Sequence, residues 1–234
     1  MMPEVDIIIP VYNEGGNILI AIQAIREKVC FPYGIRIIYD FEEDTTLPEL
    51  NKLDAEMQKK VIKVRNIYGR GVLNAIKTGM VLAQNELVIV TMADLSDPPE
   101  VMNRMVEEAV NQQADIVCAS RYMKGGKQIG GPLLKGVLSQ TAGWILHYFA
   151  GVPTHDATNS FKLYRKSFLD TVQIESSGGF EIGMELVAKA FRKGKKIVET
   201  PTIWTDRVAG ESNFKLWKWL PNYLKWFFYC FRLS

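Results

Sequence analysis

The feature that most limits how this chain can fold is an alternation running through its first half. Short β-branched apolar runs, "VDIIIP" (5–10), "IRIIYD" (35–40), "VIKV" (61–64), "ELVIVTM" (86–92) and "ADIVCAS" (114–120), are separated by four longer stretches. Those stretches, "NILIAIQAIREKV", "PELNKLDAEMQKK", "GVLNAIKTGMVLAQ" and "PEVMNRMVEEAVNQQ", carry apolar residues at three-and-four spacing and read as helices. Runs without polar alternation suit strands of a parallel sheet covered on both faces. The expected fold is therefore α/β, a Rossmann-like, doubly wound, mostly parallel sheet whose ligands sit at the carboxyl ends of the strands. That rule puts Asp40 and Asp94 on the ligand-binding edge. After Gly125-Gly126 the pattern changes to a helix near 133–150, a strand in "SFKLYR", a helix through "FEIGMELVAKAFRKG", and strands around "KIVET" and "TIWTD".

Composition excludes several classes. With 234 residues and 47% hydrophobic content the chain can bury a full core. Its 28 basic and 26 acidic side chains nearly cancel, so it lacks the field of a general nucleic-acid binder, and it carries no recognised nucleic-acid module. Three cysteines, Cys30, Cys118 and Cys230, form no spaced pair, which speaks against a disulfide framework or zinc site and fits a reducing compartment. No secretory leader is expected, because the first apolar stretch is short and leads into a turn. The mostly apolar run 136–153 carries Ser139, Gln140, Thr141 and His147, which makes it a poor membrane span.

Membrane contact is expected instead from the last segment, "NFKLWKWLPNYLKWFFYCFR" (213–232). Its Trp217, Trp219, Trp226 and Phe228 interleave with Lys215, Lys218, Lys225 and Arg232, as in an amphipathic interfacial helix with rings at the headgroups and cations against anionic lipid. The alternative is a terminal helix packed on its own domain, or one serving a homo-oligomer. Pro221 is expected to kink or split it. The expected location is cytoplasmic, peripheral at the cytoplasmic face of a membrane.

Three strand tips carry the candidate chemistry. "PVYNEGGN" follows the first strand, where Asn13 and Gly15-Gly16 make a tight turn before a helix whose N-H groups could meet phosphate or a base. "YDFEEDTT" follows the second with Asp40, Glu42, Glu43 and Asp44, either a base- or ribose-binding cluster or a solvated loop. "MADLSD" follows the fourth, where carboxylates beside a phosphate would ligate Mg²⁺ or Mn²⁺. Asp97 reads equally as a first-turn acid ahead of Pro98-Pro99. Arg121, Lys124 and Lys127 surround Gly125-Gly126, which suits a phosphate-closing loop.

At these residues the chain resembles the family 2 inverting glycosyltransferases of GT-A fold, most closely their dolichol-phosphate mannose synthase-like, polyprenyl-phosphate branch. The resemblance rests on "IIIPVYNEGGNI", "GRGVLNAIKTGMVLAQNELVIVTMADLSDPPE", "ASRYMKGG", "THDATNSFKLYRK" and "DRVAGESNFKLWKW", in that order over nearly the whole chain. It implies a glycosyltransferase domain over 1–212, with a nucleotide-sugar half (1–120) and an acceptor half (121–212), followed by the interface helix at 213–234. It further implies a UDP- or GDP-sugar bound by Pro10, Tyr12, Asn13, Glu14 and Asp40, and a divalent cation at Asp94, Ser96 and Asp97. Polyprenyl phosphate would be held by Arg121, Lys135, Ser139 and Arg207. The family's acid-x-acid metal motif reads Met92-Ala93-Asp94 here, Phe41 replaces a usual second Asp, and Lys135 stands where Arg is more usual.

The implied mechanism follows from the acceptor. A phosphomonoester, with a second pKa of about 6, attacks the anomeric carbon without a protein base. A hydroxyl acceptor would need one, and Asp156 in "HDATNSF" is the candidate. Charge on the leaving nucleoside diphosphate would be stabilised by a cation at Asp94 and by Arg121 and Arg207. Two alternatives stay open: a same-fold transferase with a hydroxyl acceptor, and a non-catalytic nucleotide-sugar-binding protein that has lost metal chemistry through Met92.

Overall fold

The computed structural model describes residues 2–206 and 216–231, with side chains from 219 onward in the second segment. Every residue of Val5–Pro10 (β1) and of Leu87–Val90 (β4) is buried, as continuous apolar runs require when helices cover both faces of a sheet. In chain order, Ile18–Lys28 (α1), Tyr33–Tyr39 (β2), Thr46–Leu50 (α2), Ala55–Lys60 (α3) and Val61–Arg65 (β3) complete the first windings. Val72–Leu82 (α4), Val101–Asn111 (α5) and Ile116–Ser120 (β5) continue the alternation. Beyond them lie Lys127–Ile129 (β6), Leu133–Ile145 (α6), Lys162–Arg165 (β7), Lys166–Leu169 (α7), Ile182–Arg192 (α8), Ile197–Pro201 (β8), Ile203–Thr205 (β9) and Leu216–Tyr229 (α9).

The main sheet has seven strands in the order β3-β2-β1-β4-β7-β5-β8, and a short parallel pair, β6-β9, stands beside it. β7 alone runs antiparallel, to both β4 and β5. Because it is reversed, the loop that enters β7, rather than the one that leaves it, lies at the carboxyl edge of the other strands. "HDATNSF" thereby reaches the same edge as Asp94.

The period of two along β1 sorts its side chains: Ile7 and Ile9 join Ile18, Ile22, Met102 and Met105 on one face, while Ile8 joins Leu73, Ile76, Leu186 and Val187 on the other. Each such buried aliphatic contributes about 1.5–3 kcal/mol. Gly79 lets α4 lie against β1, since a Cβ there would stand 2.4 Å from Ile8 Cγ2. At the opposite edge from the ligand loops, buried Asp6 accepts from Arg36 Nε (2.9 Å) and from the amides of Gln84 (2.6 Å) and Asn85 (2.9 Å), closing the turn before β4.

Three expectations change. "PELNKLDAEMQKK" folds as two short helices, because Asp54 caps the second by accepting from the Met57 amide at 2.9 Å. The helix expected over 133–150 turns π-helical at Leu146–Ala150 and ends at Gly151 with φ 79°. α9 runs through Pro221 without splitting. Its anchor is Trp226, 1% exposed, whose Nε1 donates to Ser176 Oγ (2.9 Å) and whose ring lies under Lys189 and Lys225. That contact with α8 and its preceding loop offsets the backbone bond that proline removes.

Candidate active site

The first two strand tips are zipped together by side chains. Asn13, in the left-handed region at φ 56°, donates its amide to Asp44 Oδ2 (3.0 Å) and accepts from the Thr45 amide (3.2 Å). Glu14 donates its amide to Thr46 Oγ1 (3.0 Å), and its carboxylate accepts from Asn17 (2.7 Å). Asp44 is fully buried and also caps Thr46, so this member of the acidic cluster is a staple of the turn and not a ligand-facing acid. Asp40 follows β2 and receives Asn66 Nδ2 and the Gly71 amide, both at 2.8 Å, which ties it to the start of α4. Glu42 and Glu43 face solvent. Pro10 is buried at the end of β1, whereas Tyr12 is exposed and meets the Phe41 ring edge-on at 5.7 Å; the Arg70 guanidinium lies 5.1 Å over Phe41. These rings and Arg70 flank the carboxyl ends of β1 and β2.

After β4, Asp94 Oδ1 accepts from the Ser96 amide at 3.1 Å, and Leu95 between them takes φ 55°, a costly conformation for a branched residue. The loop is thus held in a tight turn that presents Asp94. Met92 packs against the core face that contains α4 and α8. Asp97 Oδ1 receives Asn159 Nδ2 (3.3 Å) and Thr202 Oγ1 (3.1 Å), so this carboxylate stitches the β4 loop to the β7 and β8 ends. Burial pushes Asp97 up to about 6, against the charge of Arg121 and those two hydrogen bonds. Among the described residues no three His, Cys, Asp or Glu gather as a closed metal site.

The acceptor side is built on Arg121, at the end of β5. Asp156, fully buried, takes Arg121 Nε at 2.7 Å and Nη2 at 3.0 Å, together with the Arg121 amide at 3.1 Å. Nη2 also donates to Ser139 Oγ on α6 (3.1 Å) and to Thr158 Oγ1 (3.0 Å). Nη1 has no partner among the described residues. Burial pushes the Asp156 carboxyl up, but the charge and hydrogen bonds of Arg121 outweigh it and leave the group below its ordinary value. Both oxygens are thus engaged, by Arg121 and by Thr158 Oγ1 and the Asn159 amide, which is the geometry of a partner of Arg121.

Lys162 supports the same loop from below. It is fully buried on β7 and donates to the carbonyls of Ala157 and Asn159. Glu199 on β8 holds the other end, accepting from His155 Nδ1 (2.6 Å) and the His155 amide (2.8 Å). Lys135 sits half-buried on α6, and Arg207 lies outside the described residues. Glu181 and Glu185 are both buried and accept amides of the 175–179 loop, Gly178 and Gly179 for the first, Glu175 and Ser176 for the second, which accounts for their four-residue spacing. Sequence reasoning missed Tyr122, Thr158, Asn159 and Thr202. All but Thr202 lie inside the quoted motifs, but nothing in a motif says which of its residues turn inward.

The helix that Arg121 reaches through Ser139 carries apolar residues on its surface. α6 and its π-helical end expose Leu133 (86%), Leu134, Val137, Trp144, Tyr148 and Phe149 (69%). No described helix is long and apolar enough to cross a membrane.

Comparison with known proteins agrees with this arrangement. The model of the glycosyl transferase family 2 matches residues 6–173. A dolichol-phosphate mannosyltransferase of Pyrococcus furiosus is 31% identical over 217 residues, 91% of this chain and 59% of that protein, so the chain spans about three-fifths of that relative. A polyprenol monophosphomannose synthase of Mycolicibacterium smegmatis is 29% identical over 212 residues, 88% of this chain and 79% of that protein. Glucosyl-3-phosphoglycerate synthase of Mycobacterium tuberculosis, solved with Mn²⁺, UDP and glucosyl-3-phosphoglycerate, superposes with a TM-score of 0.71 at 12% identity, over 99% of this chain and 81% of that one. A mannosyltransferase of Pyrobaculum calidifontis, solved with GDP-Man and Mn²⁺, gives 0.64 at 16% identity, over 91% of this chain and 59% of that one. At such identities the two structures speak for the fold, which is GT-A. The family match spans the strand tips from Asp6 through the Asp156 loop and beyond, and the chain belongs to glycosyl transferase family 2.

Proposed function

We propose that this chain is an inverting glycosyltransferase that moves one sugar from a UDP- or GDP-sugar to polyprenyl phosphate at a membrane surface. The observation that carries the reading is an arginine fixed by a buried carboxylate and bonded to a helix that exposes apolar side chains. Asp156, Ser139 and Thr158 fix Arg121 through Nε and Nη2 and leave Nη1 to an incoming anion, next to the exposed rings and leucines of α6. The names of the two curated relatives favour a prenyl phosphate as the occupant. The exposed α6 residues, with Leu224 and Phe228 on the outer face of α9, support contact with lipid.

The chain's residues divide the work. Tyr12, Phe41 and Asp40 would receive the base and ribose at the β1 and β2 tips, with Pro10, Asn13 and Glu14 shaping the turn around them. Asp94 offers a hard oxygen donor, with Ser96 beside it, a set that suits Mg²⁺ or Mn²⁺. Such ions are commonly held by one or two carboxylates plus substrate phosphates and water, so this single acid fits a cation that arrives with the diphosphate. Bound there, the ion would supply positive charge to the leaving diphosphate. Asp97, occupied by Asn159 and Thr202, keeps the loop in place. Arg121, with Lys135 on α6 and Arg207 as the further cations, would orient the acceptor phosphate for in-line attack. Since that phosphate is itself the nucleophile, no base is required, which accords with Asp156 being committed to Arg121.

The test is transfer of labelled sugar from a panel of UDP- and GDP-sugars to polyprenyl phosphate in detergent, with Mg²⁺, Mn²⁺ or EDTA. Metal-dependent product that extracts into organic solvent supports the proposal. Donor binding without product under every condition would point to a non-catalytic binding protein.

A further inference from the structure

We propose that Tyr122 is a positioning residue for Arg121: its ring supports the guanidinium and its hydroxyl ties it to α6 and β6. The inference rests on the reading that Arg121 receives the acceptor phosphate. The Arg121 Cζ lies 4.8 Å from the Tyr122 ring centroid, within cation–π range. The phenol oxygen is 3.0 Å from Gln128 Oε1 on β6 and 2.5 Å from Ser139 Oγ on α6, and that Ser139 oxygen is the one that Arg121 Nη2 reaches at 3.1 Å.

The chemistry of the partners gives this chain of bonds one direction. Gln128 Oε1 can only accept, so the phenol donates to it; Ser139 must then donate to the phenol, and Arg121, which can only donate, gives to Ser139. Gln128 in turn donates its Nε2 to the Gly130 carbonyl at 3.3 Å, which fixes its amide in that sense. Burial raises the phenol above its ordinary value, so it keeps its proton and its donor role through the neutral range. Bonds that run head to tail reinforce one another. The consequence is that α6, the helix with the exposed apolar face, and β6 are coupled to the Nη2 side of Arg121. A shift of α6 on contact with lipid would reach the phosphate-binding group through Ser139 and Tyr122.

The experiment compares Tyr122→Phe, which keeps the ring, with Tyr122→Leu, which removes it, each in the native and the Arg121→Met background. Farnesyl phosphate binding is measured by calorimetry, with UDP and GDP binding as the donor-side control. The expected result is weakening of farnesyl phosphate binding by about five-fold for Tyr122→Phe and by about twenty-fold for Tyr122→Leu. Nucleotide binding stays unchanged, and neither substitution has a further effect once Arg121 is gone. Unchanged binding in Tyr122→Phe and Tyr122→Leu, or equal weakening in the Arg121→Met background, would overturn the proposal. A second readout needs no lipid: hydrogen exchange at Arg121 Nε–H, followed by ¹⁵N NMR, is expected to be slow in the native protein, where it donates to Asp156, and to quicken in Tyr122→Leu. If native protein fails to bind farnesyl phosphate, the functional reading falls while this exchange still decides whether Tyr122 positions Arg121, and unaltered exchange refutes it.

Discussion

Replacing Asp156 by Asn probes the pair on which the acceptor site is built. Asp156 Oδ2 accepts from Arg121 Nε and from the Arg121 amide, and Oδ1 accepts from Arg121 Nη2, Thr158 Oγ1 and the Asn159 amide. An asparagine offers one oxygen, so whichever way its amide turns, an NH₂ group faces donors and the buried Arg121 charge loses its counterion. Breaking a buried pair from one side costs about 3–5 kcal/mol. At roughly 2–4 °C per kcal/mol for a domain of this size, the midpoint of thermal unfolding should fall by about 10 °C. Urea unfolding at pH 7 should show the same loss with an unchanged m-value. Because the folded carboxyl lies below its ordinary value of 3.8, its stabilisation is present above that pH and is lost as pH falls through the lower folded value. The part of the difference that comes from the Asp156 charge should therefore be fully present at pH 7 and close below pH 3.8. A loss of less than about 1 kcal/mol, the range of exposed pairs, would show that Asp156 and Arg121 do not form a buried pair in solution.

Other outcomes follow from the same geometry. Asp94→Ala should abolish Mn²⁺ binding measured by electron paramagnetic resonance in the presence of UDP or GDP, while Asp97→Asn, which keeps its Oδ1 acceptor, should leave it intact. Gly143→Ala should loosen α6, because a Cβ there would stand 2.0 Å from the His155 carbonyl oxygen; faster amide exchange across 133–145 checks it. Asp6→Ala removes the acceptor of Arg36 and of two turn amides, and should cost about 3–5 kcal/mol in urea unfolding while leaving nucleotide affinity unchanged. A Trp144→Ser, Phe149→Ser double variant should lose most of its sedimentation with anionic vesicles yet unfold at the native temperature, since both rings are exposed.

What could be read from residues alone follows the periodicities. The runs at 5–10 and 87–90 are apolar on both faces, so their burial and their parallel neighbours were legible. The reversal of β7 was not, because "SFKLYR" is equally apolar read in either direction; direction is set by how the chain arrives. The placement of Asp94 and Arg121 just past strand ends was legible from the apolar runs that precede them. The commitment of Asp156 to Arg121 was not, since it needs the β7 reversal to bring "HDATNSF" to the edge. The aromatic residues of the last segment were legible as amphipathic, but Trp226 turns inward through a hydrogen bond to Ser176 that no local pattern signals. On α6 the polar Ser139, Gln140 and Thr141 interrupt an apolar run, yet Ser139 turns inward onto Arg121 and Tyr122, leaving leucines and rings outside.

If a phosphate is the nucleophile, transfer needs no protein base, and Asp156, the candidate base, is committed to Arg121. The most direct measurement compares polyprenyl phosphate with the matching polyprenol as acceptor, in one assay with the preferred nucleotide sugar and Mn²⁺. Transfer to the phosphate alone is expected, with an anomeric configuration opposite to that of the donor. Transfer to the free alcohol at a comparable rate would require a base that this site does not provide, and would contradict it.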